Sequence, residues 1–316
     1  MATVNNIPTE SPAADAAGLR TRPKKRRAKI QLAPFVLLIP WFIGLAVFRV
    51  YPIIRSFYLS LTHFHIMDRY PRFAGFDNYV RMFTTDRLFR ASVTATLRFV
   101  FIGTPVVLVV AFFIAYVLNF KLKGVNLFRT AYYIPSILGG NVAVAILWLQ
   151  MFRNNGLVNA ALGLFGVDPI MWLRSETFAP LVLVMLSAWQ FGSTMLIFLA
   201  ALQNVSPSLY EAASIDGAKK YQQLFRITLP VISPVLLFNT INVMLRHFQE
   251  FNSAFLITEG GPFNATLFMN VYIYQRSFAN FDFGYGSALT WVLLLGIGVV
   301  ASVLWLTSRF WVHYSD

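Results

Sequence analysis

Apolar residues run almost unbroken through six stretches, near 32–51, 97–118, 131–151, 179–202, 232–256 and 287–311. Each holds about the 20 residues that a helix needs to cross the hydrocarbon core of a bilayer. The segments between them carry most of the charge. Several stretches contain proline or glycine, among them Pro34, Pro40, Pro105, Pro135 and the pair Gly139–Gly140. In a bilayer such residues are tolerated where neighbouring helices pack closely or re-satisfy the backbone. The pattern predicts an all-α membrane protein with six transmembrane helices.

Composition agrees with the pattern. The 316 residues are 57% hydrophobic, 16% aromatic and 12% charged, with a mean hydropathy of +0.60. Soluble domains carry about 25% charged residues, so the outward face of this protein is expected to meet lipid. There is no cysteine, which excludes disulfides, thiolate metal sites and cysteine nucleophiles.

The net charge of +13 gains meaning from its location. Much of it lies in RTRPKKRR, Arg20–Arg27, just before the first apolar run. There it reads as a cytoplasmic orientation signal, not a nucleic-acid patch. Residues 1–30 read as a basic, disordered cytoplasmic tail, with the membrane domain at 31–316. The apolar run after Gln31 exceeds the 7–15 residues of a cleavable signal's core. Six spans put both termini on one side. Lys and Arg number 14 on the side of the termini and 9 on the other, so both termini and the 203–231 loop are expected in the cytoplasm.

That loop holds LYEAASIDGAKKYQQLFRITLP, residues 209–230. Ser206 precedes Pro207, an N-cap hydroxyl followed by proline at the first helical position. Glu211 falls in the early turns, where a carboxylate complements the helix dipole. Gly217 is the expected stop, since glycine takes the left-handed conformation that closes a helix. A second helix restarts over Ala218–Arg226, with Tyr221, Leu224 and Phe225 near one stripe. Pro230 is expected to end it, and Pro234 to open the next span. Two short helices joined by glycine form either a compact knob that docks a partner or an amphipathic hairpin lying on the membrane.

These residues carry a resemblance. Glu211-Ala212-Ala213, Gly217 and Ile227-x-Leu229-Pro230 resemble the EAA signature of ATP-binding-cassette (ABC) importer permeases. GFDNYVRMF (75–83), LFRTAYYIPSIL (127–138), FLAALQNVSPSLYEAA (198–213) and TEGGPFNAT (258–266) resemble the sugar-importer branch, so the likeness covers roughly 32–311. It implies a type I importer bundle with a MetI-like core in the bacterial inner membrane. It also implies a second permease subunit as heterodimer partner, two ATPase subunits that bind the ATP and Mg, and an extracytoplasmic solute-binding protein. Glu211, Ala212, Ala213, Gly217, Leu229 and Pro230 would then form the element that docks on an ATPase, with Lys219 and Lys220 flanking it. The chain ends in SRFWVHYSD, without the glycine-rich tail of the second permease type. It is therefore similar to the maltose-F or glycerophosphate-A type of subunit.

Catalytic motifs are missing. No Gly-Lys dipeptide exists to start a phosphate-cradling loop, and neither HExxH nor GxSxG occurs. No cofactor, metal or substrate chemistry is expected of this chain. His63 and His65, in HFH, read as loop residues rather than metal ligands.

Span five is the richest in polar groups. Asn239, Asn242, Arg246, Gln249, Glu250 and Ser253 recur at steps of three and four, so a continuous helix would put them on one face. A charge at mid-bilayer costs at least ~2.5 kcal/mol, so this face is expected to meet a bundle interior or a watery path. Arg246 and Glu250 would stand one turn apart, either paired to pin helices or lining a solute route. Trp189 and Gln190 in span four form either a sugar platform beside an amide or an ordinary packing pair. A carbohydrate is the expected solute. The rivals are a phosphorylated polyol or acidic oligosaccharide read by Arg246, and an ion-coupled secondary transporter using Arg246–Glu250 as a relay.

Overall fold

The apolar runs do become helices, but three of the six are broken. A computed structural model describes residues 33–120 and 124–313. The basic tail expected at 1–30 lies outside the described residues. Three segments are long and apolar enough to cross a membrane unaided, Leu37–Ser60, Arg87–Leu118 and Phe283–Ser308. Three more candidates are bent helix pairs: Val125–Leu138 with Val142–Met151 at 100°, Phe178–Trp189 with Gly192–Gln203 at 48°, and Lys220–Val231 with Ser233–Phe248 at 71°. Counting each bent pair as one span, the described residues hold up to six candidates by length and composition.

By contacts the chain forms two units, Met1–Tyr51 and Pro52–Asp316. The first contains α1 (Ala33–Leu45), with Pro40 inside it, and a π-helical turn at Ala46–Val50. Helix α2 (Tyr51–Ser60) opens the second. The first candidate span thus ends at Ser60, nine residues later than its apolar run suggests.

After α2 a small antiparallel pair, β1 (Thr62–His63) with β2 (Arg72–Phe73), precedes α3 (Asp77–Thr84). The buried Asn78 side chain donates to the carbonyls of Ser60 and Thr62, both at 2.9 Å, and fixes the strand pair to α3. Helix α4 (Arg87–Leu118) starts ten residues before the predicted span, because Asp86 caps it by accepting from the N–H groups of Leu88 and Phe89 at 2.9 and 3.1 Å.

The chain continues through α5 (Val125–Leu138), α6 (Val142–Met151), α7 (Leu157–Gly163), α8 (Phe178–Trp189) and α9 (Gly192–Gln203). Next come the hairpin helices α10 (Pro207–Ile215), α11 (Lys220–Gln223) and α12 (Leu229–Val231), then α13 (Ser233–Phe248), α14 (Met269–Tyr274) and α15 (Phe283–Ser308).

Helix α4 is the axis of the second unit and packs against α8, α9, α13 and α14. Ala111 and Ala115, four residues apart and fully buried, admit Met195 and Phe198 of α9 at close range. Without water to squeeze out, helices in lipid associate through such small residues and close packing. A second cluster joins Phe99, Trp148, Phe152, Leu183, Phe268 and Leu289. The outer faces stay apolar and exposed, as at Phe101, Val109 and Phe113 of α4 or Leu295, Val299 and Trp305 of α15, which suits a lipid solvent.

Candidate functional site: a polar cavity at three helix breaks

The bends have local causes. Between α5 and α6 lie Gly139, Gly140 and Asn141, with Gly140 at φ +79°, a conformation that costs glycine little. Between α8 and α9, Gly192 comes so close to α5 that a Cβ would lie 2.6 Å from the Tyr132 carbonyl oxygen. The third bend comes at Ile232, just before Ser233–Pro234. Span five also stops early. Helix α13 ends at Phe248, and the chain resumes a π-helical turn only at Ala254–Thr258.

Two of these breaks and the end of α13 meet around one cavity of about 320 Å³. Its wall includes Ser136, Gly139 and Gly140 from the first break, Gln190 and Ser193 from the second, and Arg246, Gln249, Glu250 and Ser253 from the end of α13. Non-helical backbone at membrane depth persists only where protein buries it or where it lines a watery space.

The freed backbone groups are re-satisfied by side chains. Ser136 Oγ donates to the Gln190 carbonyl at 3.0 Å and accepts from the Ser193 N–H at 3.1 Å, bridging the α8–α9 break. Asn252 Nδ2 donates to the Gly140 carbonyl at 3.3 Å. Buried His247 stands between Thr104 Oγ1 at 2.9 Å on Nδ1 and Ser187 Oγ at 2.5 Å on Nε2, so it ties α13 to α4 and α8. Phe99 meets the imidazole edge-on at 4.8 Å.

The predicted residues divide. Gln190, Arg246, Gln249, Glu250 and Ser253 come together at the cavity. Asn239 is buried and not part of the wall, its Nδ2 donating to the Thr194 carbonyl at 3.4 Å. Asn242 is exposed, donates to its own helix at Phe238 and is not part of the wall. Trp189 packs on Trp148, ring centroids 5.5 Å apart, and also lies outside the wall.

Of the two alternatives for Arg246 and Glu250, the ion pair does not form, and both residues stand on the cavity wall. Arg246 Nη2 donates to Thr194 Oγ1 at 3.0 Å, whereas Glu250 Oε1 accepts the Ser253 N–H at 2.9 Å. The helix ends between the two residues, so their spacing of four no longer stacks them. Ser136, Ser187, His247 and Thr104 were not singled out from the sequence. Only the Gly139–Gly140 pair beside Ser136 hinted at the break.

The hairpin is built as a knob. Ser206 and Pro207 take the N-cap and first helical positions, but Ser206 Oγ bonds Ser208 Oγ at 2.8 Å and makes no cap bond. Gly217 has φ +76° and ends α10 with two closing bonds, Ala218 N–H to Ala213 O at 2.9 Å and Gly217 N–H to Ser214 O at 3.1 Å. The second arm runs through a π-helical turn at Leu224–Thr228 and stops at Val231, one residue after Pro230, where the chain bends by 71° into α13.

Buried Gln223 donates to Ser214 Oγ at 3.0 Å, and Tyr210 and Thr228 hydroxyls meet at 2.9 Å, locking the arms together. Glu211, Ala212, Gly217, Lys219 and Lys220 are exposed, Ala213, Leu229 and Pro230 half-buried. Ile215, Tyr221 and Phe225 are also bare, at 87%, 59% and 65% exposure.

Residues 73–314 match the family model described as binding-protein-dependent transport system inner membrane component. The chain belongs to this family. It is an ABC importer permease of the inner membrane, a multi-pass transport subunit without a catalytic domain. The probable ABC transporter permease protein YesP of Bacillus subtilis (strain 168) is 43% identical over 298 residues, 93% of this chain and 96% of that one. The lactose transport system permease protein LacF of Rhizobium radiobacter is 34% identical over 88% of this chain and 92% of its own. In fold, the permease superposes with a TM-score of 0.75 on a chain of a bacterial alginate ABC transporter solved with its pentasaccharide-bound periplasmic protein. That match has 21% identity and covers 88% of this chain and 94% of that one. Membership in an ABC importer family sets aside the ion-coupled secondary transporter.

Proposed function

We propose that this permease carries a carbohydrate across the membrane, past the cavity at the helix breaks, while the 209–230 knob docks a separate ATPase on the cytoplasmic side. The observation that carries the reading is the meeting of two broken spans and the end of α13 on one polar wall. Amides and hydroxyls of Gln190, Gln249, Ser193 and Ser253 suit sugar hydroxyls, and the open backbone at Gly139–Gly140 lets a solute approach closely. The lactose permease relative supports a sugar. A second permease chain, two ATPases and an external binding protein complete the importer, with both termini in the cytoplasm.

In the reconstituted transporter, Gln249→Leu is expected to lower uptake of a labelled oligosaccharide about tenfold, the scale of one lost hydrogen bond. Unchanged uptake would remove this wall from the solute path. For the knob, Gly217→Pro is expected to leave membrane insertion intact but abolish copurification of the ATPase.

A second reading, an anionic solute such as an acidic oligosaccharide or phosphorylated polyol, draws on Arg246. Arg246 lines the cavity with only a hydroxyl partner for its guanidinium and, among the described residues, no carboxylate within ion-pair distance.

A further inference from the structure

A second cavity, of about 420 Å³, lies at the root of the hairpin, between the end of α4, the start of α5, the end of α9 and the start of α10. Asn119, Gln203, Pro207, Tyr210 and Arg129 line it, with Val125 and Leu202 as an apolar floor. Arg129 is the odd member. Its Nε is the one buried side-chain nitrogen or oxygen without a hydrogen-bond partner among the described residues. Its other nitrogens reach only Asn126 Oδ1 and the Leu118 carbonyl, both at 3.4 Å. No carboxylate pairs with it among the described residues.

A half-buried cation with two long neutral contacts is poorly compensated, because desolvation is offset only by close, charge-matched acceptors. Arg81 and Arg276 of the same chain show the contrast. Arg81 pairs with Asp282, and Arg276 donates to the Tyr272 hydroxyl that binds Asp86. Arg129 lines the cavity, and a planar fork of donors fits an oxyanion, above all a phosphate. The start of α10 borders the same space, and its Ser206 hydroxyl bonds Ser208 Oγ and makes no cap bond.

The site also lies where a span ends. Helix α4 stops at Leu118, and Phe120, Leu127 and Phe128 around it are exposed apolar side chains. An amphiphile could set its phosphate on Arg129 and its glycerol and upper chains on Val125 and Leu202. We propose that this cavity binds a phosphate-bearing anion at the membrane surface, so that occupancy braces the root of the hairpin against α4 and α5. The lipid form, a phosphatidylglycerol headgroup, rests on the hairpin lying at the bilayer face.

The test uses the full chain purified in detergent and offered equal amounts of phosphatidylglycerol and phosphatidylcholine, with bound lipid read by native mass spectrometry. Wild type is expected to retain phosphatidylglycerol about tenfold over phosphatidylcholine, the scale of a charge-assisted contact. Arg129→Gln should lose that preference. Gln203→Trp, which keeps the guanidinium but puts a much bulkier side chain into the cavity, should lose it too and covers the case in which Arg129→Gln misfolds. Arg226→Gln on the exposed hairpin should behave as wild type.

If no lipid is preferred but inorganic phosphate raises the melting temperature of wild type and not of the variants, the site stands with free phosphate as its ligand. Retention unchanged in both variants, with no effect of phosphate, overturns the proposal and points to a carboxylate from a partner protein. Sidedness does not enter the readout, so this result and the orientation of the hairpin can fail separately.

Discussion

Ser136 bridges a break in a helix other than its own: its Oγ donates to the Gln190 carbonyl at 3.0 Å. The same oxygen accepts the Ser193 N–H at 3.1 Å, so one hydroxyl replaces two helical bonds lost where α8 gives way to α9. Gly192 allows the approach, with no Cβ to strike Tyr132 and Ser136. The cavity wall therefore depends on a contact between α5 and the α8–α9 break.

Ser136→Ala should strand both backbone groups and destabilise the protein by about 1–3 kcal/mol. Thermal unfolding of the purified protein checks this. Ser136→Thr, which keeps the hydroxyl, should recover part of the loss; equal melting temperatures for wild type and Ser136→Ala would refute the bridge.

Arg246→Gln separates the two solute readings. It keeps hydrogen bonding toward Thr194 but removes the charge. If the solute is anionic, uptake should fall about tenfold or more, with a smaller effect on any neutral sugar that is also carried. An equal, modest decline for both solutes would favour the neutral sugar.

His247→Leu should leave the Thr104 and Ser187 hydroxyls without their shared partner and open a polar gap between α4, α8 and α13. A loss of about 2 kcal/mol or more is expected from two stranded buried hydroxyls. His247→Gln, able to donate and accept, should lie between Leu and wild type in melting temperature.

Asp86 gives a pH prediction. Burial works to raise its pKa, but hydrogen bonds from the Tyr272 and Tyr285 hydroxyls and the Phe89 N–H, with the Arg276 charge nearby, outweigh it and hold the carboxyl below its ordinary range. A lowered folded pKa means stabilisation that is present above the unfolded value, about 3.9, and is lost as pH falls through the folded one. Stability attributable to Asp86 should be constant near neutrality and decline only below about pH 4. Asp86→Asn should lower the melting temperature at pH 7 and flatten that acid limb; an unchanged acid limb would rule out this role for the carboxylate.

Much of the fold is legible residue by residue. Long apolar runs mark the six spans, and Gly217 marks the turn of the hairpin, because length against bilayer thickness and glycine's left-handed freedom are local properties. The cavity is less so. Helical spacing put Arg246 and Glu250 on one face and left an ion pair and a shared solute wall as alternatives; α13 ends at Phe248, and the two side chains take separate partners on one cavity. Trp189 and Gln190 are adjacent in the chain, yet one joins an aromatic cluster and the other the cavity wall.

The sequence by itself determined that this chain crosses a membrane, lacks a catalytic motif of its own and carries a glycine-hinged hairpin between two apolar runs. Tertiary structure alone decided where the spans break and which polar groups face one another. A broken helix survives in lipid only if distant side chains such as Ser136 and Asn252 take up its freed backbone groups. Those partners lie tens of residues or more away in the chain, beyond the reach of any local pattern.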